Sequence, residues 1–281
     1  MSRRTRTKEV LDELISGIAE LASSDRWQAW LAVQSRFHRY SFTNTLLIHL
    51  QRPDATKVAG FHAWRLLDRS VRKGEKAIWI LAPVTRKATT EDTDNDDTAA
   101  QRVVVGFKAV AVFDIAQTDG CELPTIVAHL QGDDACNAYG QLVGVAQTLA
   151  YTVEDAEFTD ARNGDCTFAL QRIRVASDRS AAQRIKTLAH EIAHAILHEG
   201  APDRAIAELE AESIAYIVCH QIDIASGEYS FGYVTAWAGG GEDAIAAIKT
   251  SGNRIQRTAD EILTLFNDVT LAPSRSVTSG R

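Results

Sequence analysis

The sequence predicts an α+β protein of two domains, and three observations favour this class. A length of 281 residues makes two domains the natural expectation. Amphipathic helical patterns alternate with short runs of β-branched residues typical of strands. A hydrophobic content of 45% supplies enough apolar side chains for packed cores. A polar break at 132–137 divides the chain into predicted domains 1–128 and 129–272, and the tail 273–281, rich in Ser, Thr and Arg, is predicted to be disordered.

The first domain is predicted to begin with three helices. Residues 7–22 and 25–37 carry apolar side chains at helical spacing. A third helix, 45–51, is predicted to open after Ser41 and to end before Pro53. These three segments precede every strand pattern in the sequence, so the helices are expected to come first in the domain.

Two strands are predicted to complete this first domain. Residues 77–83 and 102–115 are rich in β-branched and aromatic side chains. Between them, residues 89–98 include a run of acidic side chains, which predicts a mobile hairpin loop. The pattern therefore predicts a hairpin with an acidic tip.

The second domain is predicted to alternate helices with strands. Residues 139–149 form a helical pattern, and 151–154 and 166–176 are predicted strands on either side of a turn at 162–165. The second strand leads into the next helix, an arrangement in which an edge strand can pair with an extended peptide. Further helices are predicted at 233–248 and 253–267.

The most informative pattern is the H-E-x-x-H run from His190 to His194. Two histidines four residues apart on a helix point the same way, so both imidazoles can reach one metal ion. Glu191 then has the position of a general base for a water at that ion. The alternative is a buried helix with two hydrogen-bonded histidines, which leaves a charged Glu191 without a partner on a mostly apolar helix.

The helical state of this segment is predicted on independent grounds. Ser180 followed by Gln183 is a capping-box start. Gly200 and Pro202 supply the stop. The histidines are therefore expected in the middle of a helix that has a buried apolar face.

Zinc also needs a third protein ligand and an open position. A second helix is predicted at 205–221, and it carries three glutamates near its start. Glu208 and Glu212 share one face; we predict Glu208 as the ligand and Glu212 as an acceptor that orients a ligating histidine. Glu210 points elsewhere and is predicted to be solvated, in keeping with the alternative of an exposed acidic helix start favoured by the helix dipole.

Charge is unevenly distributed along the chain. Residues 1–90 carry 16 Lys and Arg against 8 Asp and Glu, a net of +8, which leaves −15 for residues 91–281 in a total of −7. A basic N-terminal part suggests a polyanionic partner for that part, and the alternative is a solvated basic surface. Residues 61–76 combine aromatic and basic side chains, the mixture that suits single-stranded nucleic acid. Trp64 at helical spacing from Phe61 and Leu67 also fits a core residue.

The compartment is predicted from the termini and the cysteines. The N-terminus lacks the apolar region of a secretory signal, and no run approaches the length of a transmembrane helix. The four cysteines are scattered and form no C-x-x-C motif, which is typical of reduced thiols. We therefore expect a cytoplasmic protein with no membrane partner.

Two resemblances extend these predictions. The run Phe61-x-x-Trp64, then Arg69-x-Val71-Arg72-Lys73-Gly74-Glu75-Lys76, resembles the N-terminal domain of ArdC-type antirestriction proteins, and Asn44 fits the same pattern. Residues 188–198 with Glu208 and Glu212 resemble the zincin domain of ArdC and of ImmA/IrrE metallopeptidases. Ser230, Tyr233 and Trp237 fit the ArdC version of that domain.

The resemblance implies an N-terminal domain that binds single-stranded DNA, joined to a C-terminal zincin-like metallopeptidase domain. It implies a protein of mobile elements that protects incoming DNA from restriction. The implied zinc ligands are His190, His194 and Glu208, with Glu191 as the base. The residues predicted to contact DNA are Asn44, Trp64, Arg69, Arg72, Lys73 and Lys76.

The sequence is compatible with three functional hypotheses. The first is a zinc-dependent peptidase fused to a DNA-binding module, with an unidentified protein substrate and with Tyr216 or His220 as the transition-state donor. The second is a non-enzymatic DNA-binding protein in which zinc only braces the second domain. The third is an ImmA/IrrE-type regulator that cleaves a repressor.

Overall fold

A computed structural model describes residues 3–87, 102–123, 134–200, 203–225, 229 and 242–271. Two compact units divide the chain, one of residues 1–126 and 239–249 and one of residues 127–238 and 250–281. The predicted α+β class is confirmed, since helices and strands occur in both units. The domain boundaries at 128 and 272 stay predictions, and the tail 273–281 lies outside the described residues.

Three helices open the first unit, as predicted. They are α1 (Arg3–Glu20), α2 (Ser24–Arg36) and α3 (Phe42–Gln51). The Oγ of Ser41 accepts a hydrogen bond from the backbone N–H of Asn44 and so caps α3. Trp27 and Trp30 are fully buried, and each such aromatic side chain removes about 150–250 Å² from water. The aromatic residues of α2 thus anchor the helical part of this unit.

The strands of the first unit form two small sheets. The elements are β1 (Val58–Gly60), α4 (Phe61–Leu66), β2 (Arg69–Val71), β3 (Ile78–Lys87), β4 (Arg102–Asp114), a 3₁₀ turn (Ile115–Gln117) and β5 (Thr118–Gly120). The larger sheet has the order β1-β4-β3 with antiparallel pairing, and β2 pairs with β5. The β3–β4 hairpin is present as predicted, whereas its acidic tip at 89–98 lies outside the described residues.

The second unit places one three-stranded sheet beside long helices. Its elements are α5 (Asp134–Thr148), β6 (Thr152–Ala156), β7 (Gly164–Thr167), a 3₁₀ turn (Phe168–Leu170), β8 (Arg172–Ala176), α6 (Ala181–Leu197), α7 (Arg204–Gln221) and the part of α8 (Glu242–Leu271) that begins at residue 250. The sheet order is β6-β8-β7, in which β6 lies parallel and β7 antiparallel to the central β8. Strand β7 is therefore an edge of this sheet.

The prediction of one strand over 166–176 is wrong. The chain reverses inside this range, so that Cys166 on β7 pairs with Ile173 on β8. A 3₁₀ turn and Gln171, whose backbone is left-handed at φ 45°, make the reversal. A run of β-branched residues gives no sign of such a turn when it contains neither glycine nor proline.

The prediction of two helices over 233–248 and 253–267 is also wrong. Residues 242–271 form the single helix α8, and residues 233–241 lie outside the described part of the chain. Gly252 stands inside α8 and is buried. A glycine inside a helix costs about 1 kcal/mol, an amount that the packing of neighbouring buried residues such as Ile255 offsets.

Helix α6 follows the predicted pattern closely. Its N-cap Ser180 accepts a hydrogen bond from the backbone N–H of Gln183. Ile185, Leu188 and Ile192 are fully buried along one face, and burial of each such side chain contributes about 1.5–3 kcal/mol. This face fixes the rotation of α6 and with it the direction of the histidines. Within the described residues, no helix combines the length and apolar composition needed to cross a membrane.

Candidate metal centre

Helices α6 and α7 bring His190, His194 and Glu208 together. The Nε2 atoms of the two histidines lie 3.0 Å apart. Glu208 Oε2 lies 3.4 Å from His190 Nε2 and 3.9 Å from His194 Nε2. One donor atom from each residue can be chosen so that all lie within 4.8 Å of one another. The three side chains predicted as ligands therefore converge on one point.

The spacing of these atoms suits a small divalent cation. Ligand bonds of about 2.0–2.2 Å in tetrahedral geometry place neighbouring donor atoms about 3.3–3.6 Å apart. The three observed separations, 3.0, 3.4 and 3.9 Å, bracket that range. Two imidazoles and one carboxylate are also a donor set of catalytic zinc sites, which leave a fourth position open. The residues present therefore fit the ion.

Glu212 lies on the far side of the His190 ring. Its Oε2 is 3.4 Å from His190 Nδ1, the nitrogen that faces away from the three converging donors. Its Oε1 is 2.8 Å from Lys186 Nζ, which compensates its charge. Glu212 thus occupies the position of an acceptor that orients a ligating histidine, the role that the sequence suggested for it.

The two converging histidines differ in their affinity for a proton. Burial lowers the pKa of His190, but hydrogen bonds to Glu208 and Glu212 outweigh this effect and raise the pKa to about 9. Burial lowers the pKa of His194, and the nearby charge of His190 lowers it further. His190 therefore holds a proton more readily than His194 at neutral pH.

Glu191 lies on α6 with its side chain against strand β7. It is 7% exposed, and burial raises its pKa to about 7, against the lowering effect of the His190 charge. A carboxylate with a pKa near neutrality is suited to accept and return a proton. On β7, burial and then the charge of Glu191 raise the pKa of Cys166 to about 12, so this thiol stays protonated.

An open cavity of about 1040 Å³ adjoins the three converging residues. Its walls come from α6, from the start of α7 and from residues 161–166, which include the first part of β7. An edge strand beside a cavity has free backbone groups that can pair with an extended peptide. The cavity therefore has room for a chain segment next to Glu191.

Gly164 is where β7 approaches α6 most closely. A Cβ atom at this position would lie 2.6 Å from Thr187 Cγ2, 2.8 Å from the carbonyl oxygen of Arg174 and 3.1 Å from Glu191 Oε1. Gly164→Ala is therefore expected to lower the free energy of unfolding by about 1–3 kcal/mol in urea denaturation, because the added methyl group overpacks this contact.

The matched control for this change is Gly140→Ala on α5. Gly140 is exposed, and nothing lies within 4 Å of the added Cβ atom. An alanine inside a helix is expected to raise the free energy of unfolding by about 0.5–1 kcal/mol. Equal effects of the two substitutions would contradict the close contact at Gly164.

The prediction that Glu210 is solvated is wrong. Its side chain is 0% exposed, and its carboxylate contacts His198, Ser251 and Arg254. His198, which is 4% exposed and lies four residues after His194, had no predicted role. The spacing of His190, His194 and His198 at i, i+4 and i+8, from the helix to its C-cap, is the signal that could have indicated it.

The predicted transition-state donors lie elsewhere. Tyr216 stacks on His220 with an interplanar angle of 4°, and among the described residues neither side chain lines the cavity. The cavity wall therefore gives no support to the prediction that one of them stabilises the transition state. The cationic side chains in the cavity wall are those of Arg162, Lys186 and Arg204.

Three of the residues predicted to contact DNA are used inside the first unit. Trp64 is 2% exposed and donates from Nε1 to the carbonyl of Phe113, so no ring face is open to a base and the predicted stacking is wrong. The amide of Asn44 makes two hydrogen bonds with the backbone of Leu81 on β3. The Arg69 guanidinium binds Thr118 and the carbonyl groups of β5 and Cys121.

The basic turn, residues 72–77 between β2 and β3, contains three cationic side chains with different surroundings. Arg72 is held by Glu75, by Asp119 and by the carbonyl of Ala116. Hydrogen bonds from Gln117 and then Arg72 lower the pKa of Glu75. Lys73 and Lys76 are exposed, and within the described residues neither has an ion pair. The structure thus separates one turn-building cation from two that point to solvent.

Comparison with known domains agrees with this arrangement. Residues 4–113 match the N-terminal domain of anti-restriction factor ArdC. Residues 149–219 match the IrrE N-terminal-like domain, which includes α6 and α7. The chain is ArdC-like. Its ArdC-type domain carries the basic turn, and its IrrE-like domain carries the converging histidines.

Solved structures show the same fold. The metal-free crystal structure of the antirestriction ArdC protein from plasmid R388 aligns with a TM-score of 0.55 and 20% identity, over 82% of this chain and 86% of that one. The Mn(II)-bound structure of the same protein gives 0.52 and 19%, over 84% and 97%. The ArdC-like fold therefore extends across most of the chain.

A curated relative extends beyond this chain. The uncharacterized protein pXO2-81 of Bacillus anthracis is 26% identical over 301 aligned residues. The alignment covers 92% of this chain and 50% of the relative. The ArdC-like chain thus spans about half the length of the curated relative that it matches.

Proposed function

We propose that this ArdC-like chain is an antirestriction-type protein of mobile elements, with a zinc-dependent peptidase domain and a domain that binds single-stranded DNA. The observation that carries the peptidase part is the convergence of His190, His194 and Glu208 beside the buried Glu191. The match to the ArdC N-terminal domain supports DNA as the partner. A DNA partner implies action in the cytoplasm.

His190, His194 and Glu208 would hold the ion. Zinc, when bound, supplies a Lewis acid that polarises a peptide carbonyl and acidifies a water. Glu191 would accept a proton at its carboxylate from the attacking water as the water oxygen bonds to the peptide carbonyl carbon, and it would return that proton to the amine nitrogen as the C–N bond breaks. Strand β7 orients the substrate by pairing with its backbone, since β7 is the sheet edge that faces the cavity.

The donor set favours zinc over manganese. Two imidazole nitrogens with one carboxylate are typical of zinc, whereas manganese prefers oxygen-rich sites. The relative in which Mn(II) was observed is the R388 ArdC protein. The proposal is tested by competition, in which zinc is expected to displace Mn(II) from the purified chain at equal concentration. Retention of Mn(II) would overturn the assignment of zinc.

The peptidase activity is tested by removal of the metal. Incubation of the zinc-loaded chain with a library of quenched fluorescent peptides is expected to give cleavage that stops on chelation and returns when zinc is added back. A library with randomised positions is the suitable probe because the protein substrate is unknown. Cleavage that survives complete chelation would overturn the proposed mechanism.

For the DNA-binding part, Lys73 and Lys76 are the side chains that carry the proposal. Lys73→Ala combined with Lys76→Ala is expected to weaken binding of single-stranded DNA, because each cation releases counterions from the phosphates. The slope of log K against log salt should fall in magnitude by about 1.4, or about 0.7 per cation lost. Fluorescence anisotropy with an oligonucleotide of mixed sequence measures this slope.

The control removes a cation from the second unit. Arg257 is exposed on α8, and Arg257→Ala is expected to leave the salt slope unchanged. Arg72 is kept in all variants because its hydrogen bonds to Glu75 and Ala116 build the turn. An unchanged slope in the double lysine variant would count against a DNA contact at this turn.

A further inference from the structure

A chain of buried polar contacts leads away from the metal centre. His194 Nδ1 lies 2.8 Å from Nδ1 of His198, the C-cap residue of α6. His198 Nε2 lies 3.1 Å from Glu210 Oε2 on α7. His198 and Glu210 are 4% and 0% exposed. The contacts therefore link a proposed zinc ligand to a carboxylate that is sealed from water.

Helix α8 holds this carboxylate. Ser251 Oγ donates to Glu210 Oε1 at 2.5 Å, and Arg254 Nη2 lies 3.3 Å from Glu210 Oε2. Arg254 Nη2 also donates to the carbonyl of Leu197 at the end of α6. The guanidinium balances the buried negative charge, without which burial of a carboxylate is costly. Glu210 is thereby fixed with one oxygen facing His198.

The direction of each hydrogen bond in this series follows from the contacts of Glu210. The Glu210 carboxylate receives donors from Ser251 and Arg254, so in its contact with His198 the imidazole Nε2 is the donor. An imidazole with its proton on Nε2 has its lone pair on Nδ1, so His198 Nδ1 is the acceptor.

The same reasoning identifies the tautomer of His194. Because His198 Nδ1 is an acceptor, the proton in the 2.8 Å contact must belong to His194 Nδ1. A neutral His194 then has a bare lone pair on Nε2, the atom that lies 3.0 Å from His190 Nε2. The tautomer that this arrangement imposes is the one that a metal ligand requires.

We propose that Glu210 and His198 are positioning residues that lock His194 in its Nδ1–H tautomer, with Ser251 and Arg254 on α8 as their anchor. The role in metal binding rests on the proposed function, whereas the tautomer itself does not. Partners of this kind fix the orientation of a ligating histidine, and their loss typically costs about 10–100-fold in metal affinity.

Two substitutions of His198 separate the acceptor from the rest of the side chain. His198→Leu removes the acceptor and leaves Glu210 bound to Ser251 and Arg254. In His198→Asn the side-chain oxygen stands close to the place of Nδ1 and is expected to accept from His194. The matched control is His220→Leu on α7, because His220 is exposed and does not line the cavity.

The tautomer is read by long-range ¹H–¹⁵N correlation of the metal-free protein labelled at histidine. His194 is expected to carry its proton on Nδ1 in the parent, in His198→Asn and in His220→Leu. In His198→Leu the Nε2–H form is expected to become populated. An Nε2–H form in the parent, or an unchanged tautomer in His198→Leu, would overturn the proposal. Circular dichroism establishes that each variant is folded.

Zinc titration provides the second readout. His198→Leu is expected to bind zinc about 10–100-fold more weakly than the parent, and His198→Asn is expected to recover most of that loss. Equal affinities of the parent and His198→Leu would also overturn the proposal. If the parent bound no zinc, the proposed function would fail, whereas the tautomer measurement would still decide whether Glu210 and His198 lock His194.

Discussion

Replacement of Glu208 with alanine is expected to weaken zinc binding by about 100- to 1000-fold. Complete four-ligand sites bind zinc with about 10–16 kcal/mol, so one ligand accounts for about 2.5–4 kcal/mol. Glu208 is the carboxylate whose oxygen faces Nε2 of both His190 and His194. Competition with a zinc-sensitive chelator measures the change, and metal analysis of the purified variant should show the same loss.

Two matched variants show whether the loss of zinc affinity is specific to Glu208. Glu212→Ala removes a carboxylate that contacts the other nitrogen of His190, so a smaller loss of about 10–100-fold is expected. Glu199→Ala removes an exposed carboxylate beyond the end of α6 and should leave affinity unchanged. A greater loss for Glu212→Ala than for Glu208→Ala would show that the two glutamates have been assigned in the wrong order.

Glu191→Gln is expected to lower peptide cleavage by about 100- to 10,000-fold while zinc stays bound. The amide has the shape of the carboxylate but accepts no proton, so the step that a general base accelerates is lost. Glu191 is not among the converging donors, so its loss leaves the ligands in place. Turnover of the quenched peptide library and zinc content are measured on the same preparation.

This variant also distinguishes the peptidase from a non-enzymatic protein. If the protection of incoming DNA depends on peptide cleavage, cells that carry Glu191→Gln are expected to show less protection than cells that carry the parent. Full protection by Glu191→Gln, with zinc bound and the protein folded, would favour the hypothesis in which zinc only braces the second domain. Cleavage of a specific repressor by the parent would instead favour a regulator of the ImmA/IrrE type.

The convergence of the metal centre was predictable because it depends on local periodicity. His190 and His194 share a face of α6 through the helical repeat, and Glu208 follows on the adjoining helix. Glu210 was mispredicted because its partners come from far along the chain. Ser251 and Arg254 reach it from α8, and no pattern near Glu210 indicates their approach.

At Trp64 and Arg69, tertiary contacts use the same chemistry that suggested DNA binding. Trp64 has the ring that stacks on bases, but its Nε1 binds the carbonyl of Phe113 and the ring is buried. Arg69 has the charge that binds phosphate, but its guanidinium ties β2 to β5. Aromatic and basic residues serve a core and a nucleic-acid surface equally well, so composition alone could not separate Trp64 and Arg69 from Lys73 and Lys76.

The position of the ion is the most direct test of the central claim, which is that His190, His194 and Glu208 form a zinc site. A crystal of the zinc-loaded chain, with data collected above and below the zinc absorption edge, locates the ion by its anomalous scattering. The expected result is one peak at about 2.0–2.2 Å from Nε2 of both histidines and from an oxygen of Glu208. A peak bound by Glu212 instead of Glu208, or no peak between α6 and α7, would contradict the account.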